Sequence, residues 1–219
     1  QQLMAELSHE LRSPLARLQA AIALAGQRPG ASPAELERME REIRRMDQVI
    51  GDLLRFSQLG TSASIARRLI RLEHLITELG RDEEIEARAG QCQLRISTER
   101  ELLVVGDPDL LRSGFENILR NAIRYSPRGT SVDMGAARAG AGIEVTIADR
   151  GPGVSQQFLT RIFEPYFRVP GTAGNTEGTG LGLAIARRVF EVHGGTVRAA
   201  PREGGGLVMK VTLPGAQLS

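Results

Sequence analysis

Pro108-Asp109-Leu110-Leu111-Arg112-Ser113-Gly114-Phe115-Glu116-Asn117-Ile118-Leu119-Arg120-Asn121-Ala122-Ile123-Arg124-Tyr125 reads as one long amphipathic helix. Leu111, Phe115, Ile118, Ala122 and Tyr125 recur at steps of three and four and fill its apolar stripe. Asn117 and Asn121 lie four apart and share a face beside that stripe. Four is also the spacing of core residues, so a structural reading stands next to a functional one. Two neutral amides in that position need hydrogen-bonding partners, or a bound ion and phosphates.

On either side of this helix the pattern is mixed. Arg68 to Leu72, Cys92 to Thr98 and Leu102 to Val105 read as strands, and Glu73 to Ala89 as a helix. Downstream, Ser131 to Ala137 and Ile143 to Ala148 pair across a Gly140-Ala141-Gly142 turn. Leu181 to His193 reads as a helix, and Thr196 to Ala200 and Leu207 to Leu213 close as strands around Gly204-Gly205-Gly206. Such a succession predicts an α+β two-layer sandwich with helices on one face of the sheet.

The first 60 residues differ in kind. Leu7, Leu11, Leu15, Leu18, Ile22 and Ala25 form one apolar seam, and Leu36, Met39, Ile43, Met46, Ile50 and Leu53 a second. Between them Arg28-Pro29-Gly30-Ala31-Ser32-Pro33 breaks the helix, with Ser32 placed to cap the next one. A two-helix hairpin cannot bury both seams within itself. Pairing two hairpins into a four-helix bundle would, so a homodimer is expected; a hairpin packed on its own chain is the alternative. The small polar run Gly60-Thr61-Ser62-Ala63-Ser64 reads as a linker. Domains are therefore expected over 1–60 and 67–219, joined by 61–66.

Bulk properties narrow the class. A net charge of +2 and no basic stripe with interleaved aromatics argue against nucleic acid. Cys92 is the only cysteine, so no disulfide or cysteine-based metal site is available within the chain. No apolar run reaches the roughly 18 residues that cross a bilayer, and no direct membrane contact is expected. The chain opens inside what reads as a helix, Gln1-Gln2-Leu3-Met4, and is expected to be a piece of a longer protein.

Three further motifs carry possible chemistry. Asp149-Arg150-Gly151-Pro152-Gly153 follows an apolar strand. A carboxylate at a strand end can accept from an exocyclic amine while glycines let a flat base approach, although Asp and Gly also make plain turns. Gly178-Thr179-Gly180-Leu181-Gly182-Leu183 precedes a helix, where exposed backbone N–H groups suit phosphate oxygens. It lacks the preceding strand and βαβ unit of a dinucleotide fingerprint. Before it, Arg168 to Glu177 has the composition of a lid, and Ile162-Phe163-Glu164-Pro165-Tyr166-Phe167 that of a lid anchor or of core. Lastly, Leu7-Ser8-His9-Glu10-Leu11-Arg12-Ser13-Pro14-Leu15 sets a histidine beside a carboxylate. His74 and His193 have no metal-ligand partners and are not candidates.

Taken in order, the His-Glu helix, Asn-x-x-x-Asn, Asp-x-Gly-x-Gly, the Phe-rich segment and Gly-x-Gly-x-Gly resemble the H, N, G1, F and G2 boxes of sensor histidine kinases. The resemblance covers essentially the whole chain. It implies a dimeric phosphotransfer hairpin followed by an ATP-binding domain of the Bergerat type. It also implies that His9 attacks the γ-phosphorus of ATP, with Glu10 on the other ring nitrogen, and that the phosphoryl group passes to an aspartate in a response regulator receiver domain.

By the same resemblance Asn121, with Asn117 beside it, would hold Mg²⁺, Arg124 would meet phosphate, and Tyr125 would pack near the base. Asp149, with Gly151 and Gly153, would read adenine. Phe163, Phe167 and Arg168 would form the lid base, and Gly178, Thr179, Gly180, Leu181 and Gly182 would reach the phosphates. Ser13 stands where relatives carry a threonine that orients water for phosphatase action. Glu177 stands where they often have a small residue. In ATPases of the related type a glutamate occupies the position of Asn117, which cannot act as a base. The chain is thus expected to be the cytoplasmic portion of a bacterial inner-membrane sensor.

Overall fold

The computed structural model describes residues 67–170 and 179–216, together with Met39, Ile43 and Gly51, each helical. The chain divides into two compact units, Gln1–Gln58 and Leu59–Ser219. The expected hairpin, apart from those three positions, and the expected linker lie outside the described residues.

In the second unit, strand β1 (Arg68–Arg71) leads into helix α1 (Leu72–Ala89), followed by β2 (Gln93–Thr98) and β3 (Leu103–Gly106). Helix α2 (Pro108–Tyr125) comes next, then β4 (Ser131–Ala139) and β5 (Gly142–Ala148). Two short 3₁₀ turns, Gln156–Phe158 and Arg161–Phe163, precede helix α3 (Gly182–Val192) and the closing strands β6 (Thr196–Pro201) and β7 (Leu207–Pro214).

A five-stranded sheet runs in the order β2-β4-β5-β7-β6. Only β2 and β4 pair in parallel. Strand β5 alternates buried and half-buried along its length, with Ile143, Val145 and Ile147 inward. This is the signature of a sheet covered on one face. The covering layer is α1, α2 and α3, and the core between the layers holds Ile76, Leu79, Leu111, Phe115, Ile118, Ile185 and Phe190. Phe115 and Phe190 meet across α2 and α3 with ring centroids 4.9 Å apart and planes tilted by 51°. Each such fully buried side chain contributes roughly 1.5–3 kcal/mol of burial. Gly114 permits the approach of α2 to α3, since a β-carbon there would stand 3.0 Å from the Phe190 ring and from Val189.

Strands β1 and β3 form a separate antiparallel ribbon, Leu69 opposite Val105 and Ile70 opposite Val104. Sequence patterning predicted these strands but not their separation from the main sheet. Their four-residue length leaves room for little else, and Glu73, buried in the first turn of α1, fixes the ribbon by accepting from the Leu102 N–H at 3.1 Å. At the far end of the domain Ala216 N–H donates to the Leu103 carbonyl at 2.7 Å. Among the described residues no helix is long and apolar enough to cross a membrane.

Candidate nucleotide site

Helix α2 starts at a well-made cap. Asp107 accepts from the backbone N–H groups of Asp109 and Leu110 at 3.0 and 3.1 Å, and Pro108 occupies the first turn. His193 at the end of α3 reinforces this corner. Its Nε2 accepts from the Asp107 N–H at 3.0 Å, and its Nδ1 lies 2.7 Å from the Val189 carbonyl. Both contacts are satisfied only by the neutral tautomer with the proton on Nδ1. His193 is thus a packing and hydrogen-bonding residue, as expected from its lack of metal-ligand neighbours.

Fixed in this way, α2 presents a polar face. Asn117 Nδ2 donates to the Ser113 carbonyl at 2.9 Å, which orients its Oδ1 away from its own helix. That oxygen faces the first turn of α3, because a β-carbon on Gly182 would stand 2.8 Å from it. One turn further on, Asn121 is half-buried, and its amide meets no hydrogen-bonding partner among the described residues. At the helix end the Tyr125 carbonyl stands where a β-carbon on Gly151 would be 2.7 Å away. From Asn117 to Tyr125 the helix therefore forms a floor about 12 Å long. The Asp149–Gly153 loop sits at one end and the start of α3 at the other. Arg124 lies on the exposed side and Tyr125 is half-buried.

Asp149, one residue beyond β5, is 5% exposed. Its Oδ1 accepts from the Gly151 N–H at 2.8 Å and the Leu207 N–H at 3.1 Å. Among the described residues no donor reaches Oδ2. Burial pushes this carboxyl above its ordinary range, opposed by those two N–H bonds and by the nearby Arg202 guanidinium. A buried carboxylate with one committed oxygen and one available oxygen suits an amine donor on a flat ring. Gly153, with φ of 73°, turns the loop aside in a conformation that a larger residue would adopt only under strain.

The opposite end is built around Gly180, whose φ is 71°. Its carbonyl accepts from the Tyr166 N–H at 2.9 Å, and a β-carbon there would strike the Tyr166 backbone at 2.8 Å. Thr179 Oγ1 accepts from the Leu181 N–H at 3.2 Å. Leu181 is buried, and among the described residues no side chain caps α3, so the first N–H groups of that helix are unclaimed by a cap. The aromatic segment divides in two. Ile162 and Phe163 are core, whereas Phe167 stacks against Phe158 at 5.6 Å and lies beneath the Arg161 guanidinium at 4.3 Å. Arg168 is exposed. His9, Glu10, Ser13, Glu177 and Gly178 lie outside the described residues.

Three participants escaped the sequence reading: Leu207, Arg202 and Asp133. Leu207 offers only a backbone N–H, which no residue type announces. Arg202 and Asp133 acquire meaning only from β5 lying between β4 and β7, a pairing that strand patterns do not reveal.

An amide floor, with a buried carboxylate at one end and a helix start without a side-chain cap at the other, thus lies on the helical layer of the α/β sandwich. Residues 106–217 match the histidine kinase-, DNA gyrase B- and HSP90-like ATPase family, and residues 1–62 match the His Kinase A (phospho-acceptor) domain. The chain belongs to the sensor histidine kinase family. It is 38% identical over 216 residues to the sensor histidine kinase CpxA of Escherichia coli strain K12, a match that covers 98% of this chain and 47% of that protein. The chain thus spans about half the length of the curated relatives it matches. A full-length ShkA structure in complex with AMPPNP superposes with a TM-score of 0.74 at 26% identity, covering all of this chain and 46% of that one. Histidine kinase ThkA, in complex with the response regulator TrrA, has a TM-score of 0.82 at 19% identity over 98% of this chain and 61% of that one.

Proposed function

We propose that this chain is the catalytic core of a two-component sensor kinase that transfers the γ-phosphoryl group of ATP to His9 and then to an aspartate of a response regulator. The observation that carries the reading is the convergence of Asn117 Oδ1, Gly182 and Asp149 along one face of α2. These elements match the three chemistries of ATP: phosphate, metal and adenine. Asp149 would accept from the adenine amine through Oδ2, Gly151 and Gly153 would admit the flat ring, and Tyr125 would border it. The α3 start with Thr179, Gly180, Leu181 and Gly182, preceded by Gly178, would meet phosphate oxygens. Arg124 and Arg168 would neutralise their charge, and Phe163 and Phe167 would seat the lid.

The amide oxygens of Asn117 and Asn121 suit a hard cation that keeps most of its ligands as water and phosphate. No group of three or more His, Cys, Asp or Glu offers an alternative metal site among the described residues. Bound there, Mg²⁺ would offset the charge that builds on the phosphates. His9 would donate its lone pair to the γ-phosphorus as the bond to the β-bridging oxygen breaks and ADP leaves. Glu10 would hold the proton on the other ring nitrogen as positive charge develops. Asn117 has no carboxylate with which to activate water, so His9 is the favoured acceptor. Ser13 retains the hydroxyl that a phosphatase reaction would use.

The domain limits proposed are 1–60 for dimerisation and phosphotransfer, 61–66 for the linker and 67–219 for ATP binding. The partners proposed are a second copy of the chain and a receiver domain. By its likeness to CpxA, the whole protein is proposed to sit at a bacterial inner membrane with this portion in the cytoplasm.

The test is incubation of the purified chain with Mg²⁺ and γ-labelled ATP beside His9→Gln. Acid-labile protein label that disappears in the variant is the expected result. Free phosphate without protein label would instead indicate an ATPase and overturn the assignment of His9.

A further inference from the structure

The turn between β6 and β7 does more than reverse the chain. Arg202 is 16% exposed in its side chain, and its three guanidinium bonds all go to the strand ends around Asp149. Nη1 donates to the Ala148 carbonyl at 3.0 Å and to the Asp149 carbonyl at 3.2 Å. Nη2 donates to Asp133 Oδ2 on β4 at 2.5 Å. The Arg202 N–H is itself tied to the Gly206 carbonyl at 3.1 Å, so the turn is closed behind its own side chain. Gly206, with φ of 109°, lies so close that a β-carbon would overlap the Asp149 carbonyl.

We infer that Arg202 is a positioning residue for nucleotide recognition, a fork that clamps the backbone of Asp149 from behind so that its carboxylate is held ready for the base. The inference rests on the ATP-binding role proposed for Asp149. The planar fork suits the task because one nitrogen spans two carbonyls while the other is steered by a carboxylate. A lysine would keep the charge but could not hold all three acceptors in one geometry. Asp133 is half-exposed and tolerates solvation when its partner is lost. Among the described residues, the charged groups bonded at this corner are Arg202 from the β6–β7 turn and Asp133 from β4. Arg202 also restrains the upward displacement of the Asp149 carboxyl. Its loss should therefore neutralise that carboxyl at higher pH.

The experiment measures KM for ATP and kcat of autophosphorylation in the intact chain carrying Arg202→Met, Arg202→Lys or Asp149→Asn, with circular dichroism to verify folding. Arg202→Met should raise KM about 10-fold at unchanged kcat, as expected for lost ground-state positioning. The acid limb of its 1/KM profile should move to higher pH. Arg202→Lys should show a smaller rise in KM and a smaller displacement of the limb, and it carries the test if the Met variant does not fold. Wild-type KM in a folded Arg202 variant, with Asp149→Asn strongly impaired, would overturn the clamp while leaving the site intact. Wild-type KM in Asp149→Asn would overturn the role of Asp149 itself. A fall in kcat at constant KM would also overturn the inference, since it would place Arg202 in the chemical step.

Discussion

Asp149 serves two demands that pull in opposite directions. Burial favours its protonated form, whereas the base recognition proposed for it calls for the anion. Because its native pKa lies above the unfolded value, the folded state holds the proton more tightly than the unfolded chain. Stability on account of this group is therefore lowest above the raised native value and is regained as pH falls through it. ATP affinity should move the other way. Thermal melts over a series of falling pH should show the wild type losing less stability than Asp149→Asn, while its ATP affinity declines. The comparison must be made against that variant because Glu83, buried under Arg120, is raised as well and contributes with the same sign. At this scale the sequence was informative about side chains and silent about backbone. Asp149, Asn117 and Asn121 stood out as polar residues beside apolar runs. The Leu207 N–H and the carbonyls clamped by Arg202 are groups that every residue possesses, so only their positions distinguish them.

Among elements, α2 carries the proposed site, and the cap at its first turn anchors the helix. Asp107→Ala should remove two capping bonds and cost about 1 kcal/mol, read as a lower urea midpoint at unchanged slope. The His193 contact should survive, because it is made to the Asp107 backbone. Helix α2 was legible to the residue, from Pro108 to Tyr125, because its apolar stripe and terminal proline agree. The ends of β4, β5, β6 and β7 lie one or two residues from the limits that patterning suggests, since sheet partners extend strands beyond their apolar cores. The ribbon of β1 and β3 was legible as two strands but not as a pair. Long-range pairing leaves no trace in a four-residue pattern.

The whole molecule is two compact units, of which the second, Leu59–Ser219, holds the residues of the proposed nucleotide site. A ligand that binds one native unit stabilises that unit by mass action, by about 2.7 kcal/mol at 100-fold excess over Kd. Scanning calorimetry with and without Mg²⁺ and ATP should then show one transition moving upward, and limited proteolysis should assign it to residues 67–219. Both transitions moving together would show instead that the units unfold as one. The order of motifs along the chain was legible because each box is short and local. What was not legible is how the β6–β7 turn reaches back to β5, across more than 50 residues of sequence.

The ribbon has a mechanical consequence. Arg68 lies opposite Gly106 on β3, and Ala216 is bonded to Leu103 on the same strand. Tension applied between those two points is therefore carried in part by the β1–β3 rungs and by the Ala216 bond. The five-stranded sheet shares that load, because β7 ends at Pro214, two residues before Ala216, and Gly215 is bonded to the Ala141 carbonyl in the β4–β5 turn. A pull between the entry and exit of the domain therefore meets β3 and β7 together, with the short ribbon as one latch.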